Sequence, residues 1–419
     1  MTMASKHPRS PLAPERFPEL PAIAGVGIAV GASGMRYKGR DDLLLMTFPE
    51  GTTVGGATTT SSIPGVPVVW TRRILPGGRA RALLVNAGNA NVMTGAPGER
   101  FAERCAAAVA EATGCRTDEV CLSSTGVIGQ VPDAGPVEKV MADLAKAAAA
   151  GPGGPEAWAR AATAIATTDT FIKGAAAETE IDGTKVRIAG IAKGSGMIAP
   201  NMATMLAFLA TDAALGPELI RDLMREANDL SFNSISVDGD MSTSDMSLMF
   251  ATGSAGNTAI DDLSDHRLAA FRHALHGIAI DLAKQIAADG EGATKLLTVK
   301  VAGAPSDRDA RLIALKIAES PLVKTAVAGG DANWGRIAMA VGKSGYDIPP
   351  EVLTIRIGDQ VVAAGGGVLP DYDEAAASAH YAGRDVRVTV QVGDGPGAAE
   401  VWSCDLTRGY IDINADYRS

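Results

Sequence analysis

Apolar residues recur along this chain with two periods, and each predicts its own elements. Steps of three and four residues place Leu268, Phe271, Leu275, Ile278, Leu282 and Ile286 on one face, which predicts a long helix over residues 265 to 288. The same spacing predicts a helix through PELIRDLMREANDL, where Leu219, Ile220, Leu223, Met224, Ala227 and Leu230 share a face and Pro217 occupies the first turn. Further helices are expected through FAERCAAAVAEATG, capped by Gly114, and at about 137 to 148, 156 to 166 and 307 to 319. Alternation of Val386, Val388, Val390 and Val392 predicts a strand, as does LLTVKVAG. TEIDGTKVRI reads as a hairpin turning at Asp182 and Gly183. Short runs divided by glycine and proline, in AIAGVGIAVGASG, DDLLLMTFPEG and VPVVWTRRIL, read as strands; RALLVNAGN is a further run broken at Gly88, and SFNSISVDGD a strand entering a polar turn. Residues 1 to 20 read as a loosely held arm, and AAAAGPGGP as the most linker-like piece. Strands and helices mix without strict alternation, which predicts a layered α+β architecture.

Composition narrows the function classes. Aromatic residues are 4% of the 419 while Gly alone numbers 48, so the core must pack small and aliphatic side chains closely. A net charge of −10, with no Lys/Arg run longer than two, leaves no basic footprint for nucleic acid. No run reaches the length of a membrane span and the start has no apolar signal core, so the expected compartment is the cytoplasm. Cys105, Cys115, Cys121 and Cys404 lack paired metal-ligand spacing and read as reduced thiols. His273 and His276 lie a helical turn apart without a third ligand, so no metal is expected.

The stretch from Lys193 to Asp212, KGSGMIAPNMATMLAFLATD, is the chain's centre of interest. Gly194, Gly196 and Pro200 demand a tight loop up to Asn201. Met205, Leu206, Phe208 and Leu209 then form a buried run that reads as a core strand, a short helix fitting the same periodicity. Thr204 stands at the junction, and taken alone it serves equally well as a strand or turn residue.

The string KGSGMIAPNMATML resembles the self-cleavage motif of the ornithine acetyltransferase family, also described as glutamate N-acetyltransferases. VNAGNANVMTG at 85 to 95, SSTGVIG at 123 to 129, TTDTF at 167 to 171, VDGDMSTSD at 237 to 245 and GGDANWGRIAMAVGKSG at 329 to 345 carry the same resemblance in the same order. It implies an α/β sandwich allied to self-processing aminopeptidases, cut between Ala203 and Thr204 into chains 1–203 and 204–419. Two copies of each would form an α2β2 heterotetramer. The implied reaction moves acetyl from N-acetylornithine to glutamate in arginine biosynthesis, with acetyl-CoA as a second donor in bifunctional members and no cofactor.

Cleavage would solve a chemical problem. A threonine hydroxyl is a poor nucleophile without a base, and an α-amino group on Thr204, with an ordinary pKa of roughly 7.7–8.0, supplies one. The resemblance assigns the oxyanion donors to Thr125 and Gly126, and substrate contacts to Thr168, Lys193, Thr204, Glu291, Asn414 and Ser419; SSTGVIG satisfies a plain strand-end turn equally well. Lys193 suits the substrate carboxylate, Glu291 the ornithine amine. GATTTSSIPGVPVVW, residues 56 to 70, departs from the family pattern and bears on substrate range. A hydrolytic alternative, an N-terminal-threonine aminopeptidase or amidohydrolase, uses the same nucleophile with water as acceptor.

Overall fold

A computed structural model describes residues 7–199 and 205–415; Ala203, Thr204 and Ser419 fall outside them. The first half supplies β1 (Gly27–Gly31), β2 (Leu43–Thr47), β3 (Thr53–Thr58), α1 (Val66–Ile74), β4 (Ala82–Asn89), α2 (Gly95–Thr113), β5 (Val120–Val127), α3 (Gly135–Ala148), α4 (Pro155–Ile165), β6 (Lys173–Ile181) and β7 (Thr184–Lys193). The second supplies β8 (Leu206–Thr211), α5 (Pro217–Leu230), β9 (Met246–Ala251), α6 (Ala269–Ala288), β10 (Leu296–Ala304), α7 (Asp307–Ala318), α8 (Pro321–Gly329) and α9 (Trp334–Gly342). It ends with β11 (Thr354–Ile357), β12 (Gln360–Ala364), β13 (Gly367–Val368), α10 (Glu374–Ala382), β14 (Asp385–Gln391), β15 (Gly397–Cys404) and α11 (Arg408–Ala415).

These form four layers and an annexe. One sheet has the order β1-β2-β4-β5, a second β3-β9-β8-β7-β6. Alternation along each strand sorts side chains between layers. In β2, Leu44 and Met46 face the second sheet, where Leu206, Phe208 and Phe250 meet them. Leu43 and Leu45 face α2 and α3 instead. In β8, Ala207 and Leu209 pack under α5 and α6 with Leu223, Leu275 and Leu282. The layers therefore run helix, sheet, sheet, helix, each core built on one parity of residue. The third sheet, β13-β12-β11-β14-β10-β15, encloses a separate core with α7 to α10. The layered α+β expectation holds.

The second sheet is built from both sides of position 204. β8 lies between β7, antiparallel, and β9, parallel, while β3 from the first half closes one edge on β9. The 6–7 hairpin turns at Asp182 and Gly183, both with positive φ, as the sequence predicts.

Four local readings are corrected. VPVVWTRRIL is the helix α1: Pro67 opens its first turn, and Val68, Thr71 and Ile74 are buried at three-residue steps, so period outweighs β-branching. β4 runs through Gly88 to Asn89, the glycine adopting φ +103 within the strand. SFNSISV forms no strand; after a 3-10 turn only Ile235 bridges, to Trp402. Residues 7 to 20 are not loose: Ser10 Oγ donates to the Ala288 carbonyl at 2.7 Å, and Leu20 is fully buried.

Candidate active site

The site lies where β5 and β7 end and β8 and β9 begin, at one end of the two-sheet sandwich. There a cavity of about 130 Å³ is lined by Thr125 and Gly126, Thr168, Lys193, Glu291 and Asn414, brought from five separate stretches. Six of the sequence-predicted site residues thus share one cavity. Thr204, Ala203 and Ser419 are outside the described residues, and β8 resumes at Leu206 beside Lys193, its ladder partner.

Each lining residue has a local cause. β5 runs parallel to β4 with Gly126 opposite Gly88. A Cβ on Gly126 would lie 2.2 Å from the Gly88 carbonyl carbon, and its φ is +133, so only glycine fits. Gly196 is needed for a different reason: a Cβ there would lie 2.4 Å from the Glu291 carboxylate. Glu291 is 8% exposed, and its N–H donates to the Ser195 carbonyl at 2.9 Å. Burial raises its pKa, against hydrogen bonds from Asn414 and Thr168. Asn414 Nδ2 donates to Glu291 Oε2 at 2.8 Å, tying α11 to the cavity.

Behind the lining stands a buried charge network that the sequence reading missed. Asp169 Oδ1 accepts Lys173 Nζ at 2.6 Å and the Gly194 N–H at 2.7 Å; its Oδ2 accepts the Thr167 N–H at 3.0 Å. Asp289 Oδ2 accepts the same ammonium at 2.6 Å, and its Oδ1 the Thr170 hydroxyl at 2.5 Å. These groups tie together the segments that carry Thr168, Lys193 and Glu291. Burial alone would raise Asp169, but Lys173, Lys193 and the hydrogen bonds outweigh it and hold the carboxyl well below its ordinary range. Asp289 is pushed up to about 6 by burial, with Lys173 opposing and the charge of Asp169 adding to the rise. Lys193 is 3% exposed and donates to Thr167 Oγ1 at 3.0 Å. Burial lowers its pKa, with Asp169 the main opposing charge. The signal was available in TTDTF and ADGEG, whose acidic residues flank the predicted threonine and glutamate, but only tertiary pairing shows that they share Lys173.

The arrangement offers a cation, a carboxylate and a strand end with a backbone-accessible glycine around a small cavity, suited to a small amino acid held at both ends. All four cysteines are free thiols, and burial pushes Cys105 and Cys121 up to about 12. Among the described residues no His/Cys/Asp/Glu group is arranged to hold a metal, and no helix is long and apolar enough to cross a membrane.

The model of the ArgJ family matches residues 27–419. The chain is 51% identical over 420 aligned positions to the arginine biosynthesis bifunctional protein ArgJ of Gluconobacter oxydans, covering 100% of this chain and 97% of that one. It is 49% identical to the protein of the same name from Rhizobium meliloti, over 98% of this chain and 99% of the other. Among solved structures, that of the arginine biosynthesis bifunctional protein argJ from Bacillus halodurans is 40% identical, with a TM-score of 0.47, over 49% of this chain and 96% of that one. With relatives this similar over its whole length, the chain belongs to the ArgJ family.

Proposed function

We propose that this protein transfers acetyl from N-acetylornithine to glutamate in arginine biosynthesis, through an acetyl group carried on Thr204. The observation that carries the reading is the single cavity shared by Thr125, Gly126, Thr168, Lys193, Glu291 and Asn414 in a chain of this family. In this scheme the chain cuts itself between Ala203 and Thr204, and the new α-amine takes the Thr204 hydroxyl proton as Oγ attacks the acetyl carbonyl. Thr125 and Gly126 stabilise the oxyanion, a donor of that kind being worth about 2.7–4 kcal/mol. Lys193 holds the substrate carboxylate, Glu291 the distal amine of ornithine, with Thr168, Asn414 and Ser419 completing the contacts. Acetyl-CoA serves as a second donor, and no cofactor enters. The working form is a cytoplasmic α2β2 assembly of chains 1–203 and 204–419.

Incubation with N-acetylornithine, with and without glutamate, tests this directly. The expected result is ping-pong kinetics, with one acetyl group left on the fragment that begins at Thr204 and discharged faster by glutamate than by water. Equal discharge by water would replace the transferase with the hydrolytic alternative.

A further inference from the structure

Ornithine and glutamate carry opposite charges at the same place. In each side chain the charged atom stands the same number of bonds from the α-carbon. With both α-carboxylates held by Lys193, the ammonium of one and the side-chain carboxylate of the other therefore reach the same end of a cavity of about 130 Å³, where Glu291 stands. An ionised carboxyl that suits the ammonium repels the carboxylate that follows it. Glu291 has no room to withdraw. It is 8% exposed, Gly196 backs it so closely that a Cβ there would lie 2.4 Å from its carboxylate, and its N–H is fixed to the Ser195 carbonyl at 2.9 Å. Its side-chain donors, however, are neutral: Oε2 accepts Asn414 Nδ2 at 2.8 Å, and Thr168 supplies a hydroxyl. Thr168 Oγ1 lies 2.6 Å from Ser195 Oγ, a contact in which either hydroxyl donates. Thr168 thus gives its proton to an ionised Glu291, or turns it to Ser195 and accepts from a protonated one. The neighbouring carboxyls are committed elsewhere: Asp238 accepts the N–H groups of Met197, Ile198 and Asp240, and Asp169 holds Lys173.

We propose that Glu291 receives both amino acids by changing its own protonation, ionised against the ornithine ammonium and protonated against the glutamate side-chain carboxylate, with which it shares one proton. The inference rests on the transferase reading above, in which the two occupy one cavity in turn. With Asn414 on Oε2, the proton sits on Oε1 and is donated to the ligand carboxylate, since two carboxyls in contact hold one proton between them. That proton is taken from solvent as glutamate enters and returned when N-acetylglutamate leaves, so the balance over one cycle is zero. Burial already raises the Glu291 pKa, and the charge of Asp238 adds to the rise. His7 near the N-terminus opposes it, and Lys193 of β7 and Tyr410 of α11 are the other titratable groups that interact with this carboxyl.

Calorimetric titration with ornithine and with glutamate, near neutral pH in two buffers of different ionisation enthalpy, counts the protons that each ligand takes up. The two share an α-carboxylate and an α-amine, so their difference isolates the distal end. Glutamate should bind with about one proton more than ornithine, whatever the charge of Glu291 in the empty site. Linkage fixes the sign of the pH dependence: a ligand bound with an extra proton weakens as pH rises. The ratio of kcat/KM for N-acetylglutamate to that for N-acetylornithine, each supplied as acetyl donor, should therefore fall about tenfold per pH unit. In Glu291→Gln the proton difference should vanish, ornithine affinity should drop about tenfold or more, and glutamate affinity should stay within about threefold. Equal proton counts for the two ligands, a flat ratio, or a proton difference that survives in Glu291→Gln overturns the proposal. The calorimetric arm needs no acetyl transfer. A proton difference in a protein that moves no acetyl would sustain the shared proton and remove the transferase reading, whereas transfer with equal counts removes the proposal alone.

Discussion

Lys193 and Asp289 illustrate how much a buried charge depends on its neighbours. Lys193 is enclosed and held beside Thr167 and Asp169, so removing its charge should affect substrate anchoring more than the chemical step. Lys193→Met is expected to raise KM for N-acetylornithine about tenfold or more while kcat changes less, as steady-state kinetics will show. Asp289 has a different signature because its folded pKa, about 6, lies above its ordinary value of 3.8. The folded protein holds a proton there that the unfolded chain releases, so this group's contribution to stability is full below about pH 4 and is lost as pH rises through 6. Asp169 runs the other way, its contribution being present above its unfolded value and lost on acidification. Denaturant melts of wild type and Asp289→Asn between pH 4 and 7 should show the decline in the first and a flatter profile in the second.

Among elements, what the sequence disclosed follows from whether burial was periodic. α5 and α6 were legible because one stripe of each meets the second sheet, and the 6–7 hairpin because its turn needs two positive φ values. α1 was not, since Val66, Val68 and Val69 suggest a strand until the buried face is seen to follow a helical step. Six residues that line the cavity were singled out through motifs; Lys173 was not, because nothing local tells that it joins two aspartates 120 residues apart in the chain. Gly196 offers a test at the level of its loop. Gly196→Ala should press on the Glu291 carboxylate, raising KM for N-acetylornithine while sparing an N-acetyl amino acid that lacks the distal amine. Equal losses on both substrates would detach Glu291 from amine recognition. Gly126→Ala should be worse, since its added carbon meets immovable backbone: expected outcomes are a lowered melting temperature and loss of transfer.

Across the whole molecule, the proposed chains 1–203 and 204–419 would be held together by sheet pairing rather than by surface contact. Strands of the first half stand at both edges of the second sheet, and β8 and β9 of the second half fill its middle. Both fragments should therefore elute together under native conditions and separate only in denaturant, which intact mass and gel filtration will check. This interleaving also gives the molecule a direction in time. Neither piece alone can complete the sheet, and β8 with β9 would expose two bare strand edges. If the chain is cut as proposed, folding must precede scission, after which recovery would become a bimolecular search whose success depends on concentration. The cut protein should thus melt irreversibly and show hysteresis on cooling, whereas an uncut Thr204→Ala chain should retrace its curve. Its durability would then be set by the rate of first opening rather than by an equilibrium.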